Sequence, residues 1–102
     1  MIIYNVTVNV EEEVCQLWEI WMKDKHIPEV MKTGMFISYS FHKLLTRQDD
    51  ETGTTYVIQY SAPDMKHYEK YQQEFAPSLQ ADALKMFKDK FIAFRTVMEK
   101  IG

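Results

Sequence analysis

Residues 1–10, MIIYNVTVNV, alternate with period two: Ile2, Tyr4, Val6, Val8 and Val10 fall on one side, and Asn5, Thr7 and Asn9 on the other. Such alternation, rich in β-branched residues, predicts a strand with one apolar and one polar face. Asn9 followed by Glu12 has the form of a helix N-cap, and Glu11–Glu13 suit the positive end of a helix dipole. Val14, Leu17, Trp18 and Trp21 then recur at helical spacing. The helix is expected to break near His26–Ile27, because Pro28 has no N–H and disfavours α geometry in its predecessor. A short second turn over Pro28–Lys32 would close on Gly34 as a left-handed cap. Residues 35–46, MFISYSFHKLLT, alternate again, with Met35, Ile37, Tyr39, Phe41 and Leu45 against Phe36, Ser38, Ser40, His42 and Leu44. After the polar stretch RQDDETG comes TTYVIQYS, where Tyr56, Ile58 and Tyr60 oppose Thr55, Val57, Gln59 and Ser61. Two alternating runs joined by a short polar loop ending in Gly predict a hairpin. Pro63 opens a helix carrying Met65, Tyr68, Tyr71 or Gln72, and Phe75, which Pro77 interrupts before a second stripe of Leu79, Ala83, Met86 and Phe87. The last run returns to period two, with Ile92, Phe94, Thr96 and Met98 against Phe91, Ala93, Arg95, Val97 and Glu99.

The predicted order is therefore β-α-β-β-α-β with the second helix broken near Pro77, an α+β chain of ferredoxin-like type. Short right-handed crossovers give a four-stranded antiparallel sheet with both helices on one face. The faces Ile2/Tyr4/Val6/Val8, Ile37/Tyr39/Phe41, Tyr56/Ile58/Tyr60 and Ile92/Phe94 are expected to bury against Trp18, Trp21, Met65, Tyr68 and Phe87. The remaining face then carries Asn5, Thr7, Ser38, Ser40, His42, Gln59 and Arg95, mixed with Phe36, Leu44, Val57, Phe91, Ala93 and Val97. That is too apolar for a face left in water and too polar for an ordinary core. The mixture suits a face covered by a second copy, two sheets closing into a barrel with a partly polar interior.

The length of 102 residues fits one domain spanning 1–102. With 12 Lys+Arg against 15 Asp+Glu the chain carries a net charge of −3, which argues against a nucleic-acid binder in need of a basic face. The single cysteine, Cys15, excludes an internal disulfide and a Cys-rich zinc site, and no H-x-H or H-x3-H pair exists, so no metal is expected. Met1 leads straight into alternating sequence with no basic leader, and no apolar run approaches a membrane span. A cytoplasmic protein with no membrane partner is the expectation.

The run WEIWMKDKHIPEVMKTGMF, with NVTVNV before it, resembles the dimeric α/β-barrel superfamily, and the resemblance covers essentially the whole chain. That group includes antibiotic-biosynthesis monooxygenases, haem-degrading monooxygenases, muconolactone isomerase and small stress-response proteins. The chain is still more similar to a family of small bacterial proteins of unknown function within or near it. The resemblance implies a homodimer joined through the sheet face and a small-molecule ligand inside, without transferring an activity. Oxygenase members use an asparagine on the first strand, which Asn5 matches, together with a tryptophan and a histidine elsewhere. Here no tryptophan follows Trp21, the corresponding region offers Tyr68 and Tyr71, and His67 lies between Lys66 and Lys70.

Two histidines are candidate catalytic groups, since an imidazole's ordinary pKa suits proton transfer. His26 lies where the first helix stops; it is either a base at the barrel mouth or a cation at a helix C-terminus. His42, Ser38 and Ser40 share one strand face and, with Asn5, Gln59 and Arg95, either line a binding cavity, Arg95 clamping an anion, or form a hydrogen-bond network that sets dimer register. Trp18 and Trp21 read as core anchors and Cys15 as a small buried residue. Other ferredoxin-like functions lack their residues: the middle strand shows Thr55, Val57 and Gln59 where RNA binders place aromatics, and neither C-x-x-C nor a Gly-rich first loop occurs. Three readings follow: a small dimeric barrel protein that binds a small molecule; a cofactor-independent monooxygenase or isomerase acting on an aromatic or polyketide-like substrate; and a non-catalytic, partner-binding dimer.

Overall fold

The structure, a computed structural model, describes residues 1–46 and 51–102; the polar stretch expected between the hairpin strands lies partly outside them. Strand β1 spans Ile2–Val10, α1 Cys15–Trp21, α2 Ile27–Lys32, β2 Ser38–Lys43, β3 Thr54–Ala62, α3 Met65–Glu74, α4 Ala76–Phe87 and β4 Phe91–Glu99. The strands form one antiparallel sheet in the order β2-β3-β1-β4. This is the expected ferredoxin-like arrangement, and the second helix does break beside Pro77, at Phe75.

Three local expectations fail for identifiable reasons. Asn9 does not cap a helix: it lies in β1 and its side-chain amide donates to the Thr52 carbonyl at 3.0 Å and to Thr55 Oγ1 at 3.1 Å, tying down the hairpin. The first helical segment does not break at His26–Ile27. It widens instead into a π turn over Met22–His26, in which the Ile27 N–H bonds to the Met22 carbonyl five residues back. The wider turn relieves the carbonyl facing Pro28, so α2 continues the same helix with proline in its first turn. Phe36, assigned to the polar face by alternation, is buried against Tyr60 and Tyr71, because the chain has not yet entered β2 and bends at Ile37.

Register decides which face is which. Val6 pairs with Ile58 on one side and Arg95 on the other, and Tyr4 with Tyr60 and Val97, so these side chains share the helix-covered face. On β4 that face is Phe91, Ala93, Arg95 and Val97, which inverts the expected assignment and leaves Ile92 and Phe94 61% and 67% exposed on the open side. The core has two aromatic centres. Trp18 packs 4.7 Å from Tyr56 and 6.0 Å from Phe41, and Tyr4 meets Phe36, Tyr60, Tyr68 and Tyr71 within 6.0 Å. Phe87 is buried against Trp21, whereas Met65, expected in the core, is exposed.

Gly34 takes the left-handed cap expected of it, with φ 76°. Gly53, at φ 77°, is held more tightly, since an added Cβ would lie 2.5 Å from the Val10 carbonyl oxygen. Gly53→Ala is expected to cost at least about 1–2 kcal/mol of unfolding free energy in urea, strain and clash together, whereas Gly34→Ala meets only strain.

Candidate functional site

The open sheet face brings together five of the seven candidate residues. Ser40, Gln59 and Asn5 lie in one row across β2, β3 and β1, flanked by Ser38 and His42 in neighbouring rows. The Gln59 side-chain amide donates to Asn5 Oδ1 at 3.1 Å, and the Asn5 amide donates to Thr7 Oγ1 at 3.1 Å. Their hydrogen-bonding capacity is thus turned sideways along the sheet. Around them stand exposed apolar side chains: Leu44 near β2, and Ile92, Phe94 and Met98 on β4.

His26 and Arg95 are elsewhere. The register that sets Arg95 beside Val6 carries it under the helices, so it cannot join Ser38, Ser40 and Gln59 in one cavity as expected. It borders instead a cleft between the first helical segment and α4. An outer chamber of about 220 Å³ is walled by Leu84, Phe91 and Ala93; a middle one of about 50 Å³ includes Trp21, His26 and Ala83; an inner one of about 40 Å³ ends at Tyr4, Tyr60 and Tyr71. Gln80 and Arg95 border all three, and His26 the inner two.

The π turn is what aims His26 inward. Trp18, Met22, His26 and Val30 are spaced by four, a row that would drift around a regular helix of 3.6 residues per turn. One wider turn cancels part of that drift, and all four face the interior. The imidazole stacks on Trp21, with centroids 5.0 Å apart and planes at 25°. Burial lowers its pKa to about 4, against the pull of Asp82 and with some help from Arg95, so at neutral pH the ring is uncharged. Burial likewise raises the Tyr60 and Tyr71 phenols above their ordinary range, so both keep their protons. No described residue gives the His26 ring, the Gln80 amide or the Arg95 guanidinium a side-chain hydrogen bond or an ion pair. Three polar groups of different chemistry converge on one apolar cleft without protein partners.

The other polar clusters are satisfied within the protein. Tyr56 donates to Glu19 Oε2 at 2.9 Å, holding that carboxyl below its usual range, with Lys23 and Lys43 each 3.5 Å from it. His67 lies 2.7 Å from Asp64, whose side chain also caps α3 by accepting from the His67 N–H. Cys15 is half-buried and faces Glu12. Among the described residues no group of three or more His, Cys, Asp or Glu is placed to hold a metal, and no helix is long and apolar enough to cross a membrane. Gln80 was not singled out by the sequence pattern, yet a signal existed: an amide four residues after Ala76 and three before Ala83, on the stripe that buries α4.

The fold is ferredoxin-like, and several solved structures share it over nearly their whole length. The chain is similar to an EthD family protein of Bacillus halodurans, with TM-score 0.74 at 12% identity, covering 99% of this chain and 100% of that one. It is similar to an antibiotic biosynthesis monooxygenase (0.67, 9% identity, 100% of both chains), and to SnoaB, a cofactor-independent oxygenase of Streptomyces nogalater (0.66, 10%, 99% of this chain and 93% of that). At these identities the likeness is one of fold. By sequence, the chain belongs to the family described as domain of unknown function (DUF4286), whose pattern matches residues 1–101. No curated protein matches it in sequence.

Proposed function

We propose that this protein binds a small, oxygen-bearing organic molecule in the cleft between its helices and sheet, and pairs with a second copy through the open sheet face. The observation that carries the first part is the convergence of His26, Gln80 and Arg95, unpartnered among the described residues, on a cleft otherwise walled by apolar and aromatic groups. Each of the three has donor or acceptor capacity that no described residue takes up, and a ligand that pairs with them gains neutral and charge-assisted hydrogen bonds at a partly apolar surface. The pairing rests on the exposed Ile92, Phe94 and Met98 around the Asn5–Gln59 bridge. In that arrangement His42, Ser38 and Ser40 belong to the seam, and their hydrogen bonds set its register. The setting proposed is a bacterial cytoplasm, in keeping with a cysteine that has no disulfide partner.

One observation favours catalysis as a second reading: a neutral imidazole beside a guanidinium supplies a proton acceptor and an oxyanion partner together. His26 would take the proton of an enol or phenol and Arg95 would hold the resulting oxyanion; dioxygen as co-reactant would take one electron from it and recombine at the adjacent carbon, and the proton held by His26 would then complete the peroxide so formed to a hydroperoxide. SnoaB bears the description of a cofactor-independent oxygenase; the chemistry proposed for this chain stands on its own His26 and Arg95.

Both parts are testable. Small aromatic and oxygenated compounds should quench the fluorescence of Trp21, which lines the middle chamber, and raise the melting temperature. Silence across a broad panel would remove the ligand reading. Sedimentation should give twice the 12.2 kDa chain mass, and Phe94→Asp should give the single mass; a wild-type monomer would remove the pairing.

A further inference from the structure

Resting on the small-molecule reading, we propose that the cleft is selective for a monocyclic aromatic carboxylate, with Arg95 and Gln80 together as the carboxylate clamp. Size comes first. Only the outer chamber, about 220 Å³, has room for a ring, and the spaces behind it, about 50 and 40 Å³, take no more than a substituent. This falls at or below the lower end of ordinary ligand pockets, so a single ring fills the space and a fused polycycle would project out of it into solvent.

The walls of the outer chamber choose the ring's character. Phe91, Leu84 and Ala93 present an aromatic face, a branched aliphatic chain and a small side chain, so a flat ring can lie against Phe91 in offset stacking. Charge comes from Arg95, the cation that borders all three chambers. Its planar fork matches the two oxygens of a carboxylate, and one guanidinium balances one negative charge. A dianion such as phosphate is disfavoured, because Asp82 lies close enough to act on His26 and the chain as a whole is acidic.

Gln80, opposite on α4, adds a neutral N–H donor that does not alter this balance. The ring therefore sits outermost, its carboxylate directed inward between Arg95 and Gln80, with uncharged His26 beyond. Neutrality at His26 matters here, since a second cation would shift the preference toward dianions.

The test is a titration of the full chain with benzoate, benzamide, cyclohexanecarboxylate, inorganic phosphate and phenol, followed by tryptophan fluorescence and by calorimetry. Benzoate is expected to bind at least ten times more tightly than any of the others. Arg95→Met should weaken benzoate about 10–100-fold, Arg95→Lys should recover only part of the loss, and Gln80→Leu should weaken it about 3–10-fold. Arg95 is exposed enough that its variants should fold, which far-ultraviolet circular dichroism checks. Equal affinity for benzamide and benzoate would overturn the carboxylate preference and leave the small-molecule reading standing. Equal affinity for cyclohexanecarboxylate would overturn the aromatic part, and phosphate binding as tightly as benzoate would overturn the single-charge match. No binding by any of the five, phenol included, would count against the proposal and the underlying reading together.

Discussion

Replacing Trp18 with alanine is expected to lower the unfolding free energy by about 3–5 kcal/mol, a large part of the roughly 5–15 kcal/mol available to a domain of this size. The indole is 2% exposed and stands between the helical segment and the sheet, with Tyr56 and Phe41 rings against it. Truncation loses the transfer free energy of a large aromatic and opens a cavity beside Tyr56, one of the most fully buried side chains, which has little freedom to collapse into it. Trp18 also borders the middle chamber, so the same change enlarges the cleft. Urea unfolding followed by far-ultraviolet circular dichroism measures the loss. A cost below about 1 kcal/mol would mean that the segment from α1 to α2 is not anchored where the structure places it.

The second large effect is a dependence of stability on pH that one side chain dominates above pH 5. In the folded chain burial lowers the His26 pKa to about 4, while in the unfolded chain it returns to about 6.5. Above pH 6.5 both states are neutral at this residue and nothing is lost. Between 6.5 and 4 the unfolded state binds the proton and the folded state does not, so stability falls as the pH falls. From pH 7 to pH 5 the wild type should lose about 2 kcal/mol in this way, at about 1.4 kcal/mol per pH unit within the window. His26→Phe keeps a ring against Trp21 and removes the titration, so its stability should stay nearly level over the same interval. The carboxyls of Glu13, Glu19 and Asp64, each held low by a hydrogen bond or a nearby lysine, add their own losses only at lower pH. A wild-type protein equally stable at pH 7 and pH 5 would mean that water reaches His26 freely and the cleft is not the desolvated place described here.

Much of the architecture was legible in the chain because alternation and helical spacing are local properties. Ile2 to Val10 and Thr54 to Ala62 alternate in burial as they alternate in hydrophobicity, and the break beside Pro77 follows from a missing N–H. The candidate site was legible only in part. Asn5, Ser38, Ser40, His42 and Gln59 were grouped correctly, since each shares a strand parity that registers against the next. His26 and Arg95, both named from the sequence, border the same cleft, but Arg95 was expected on the open face and lies on the helix-covered one. Alternation says that a strand has two faces without saying which one is turned inward, and on β4 both are apolar: Ile92 and Phe94 outward, Phe91 and Ala93 inward. Gln80 escaped notice, and Tyr60 was read only as part of a strand's apolar face, because nothing local distinguishes a group at a cleft from one in an ordinary core.

What the sequence by itself determined, then, is the order of elements, their periodicities and their punctuation at Pro28, Gly34, Gly53 and Pro77, all of which act within a few residues. What only the tertiary structure decided is the pairing of Val6 with Arg95 and the wide turn that swings His26 beneath the helices. Register is a contact between segments some ninety residues apart, and the π turn is a compromise between a proline and a row of buried side chains. Neither is settled until the sheet and the helices have packed against each other.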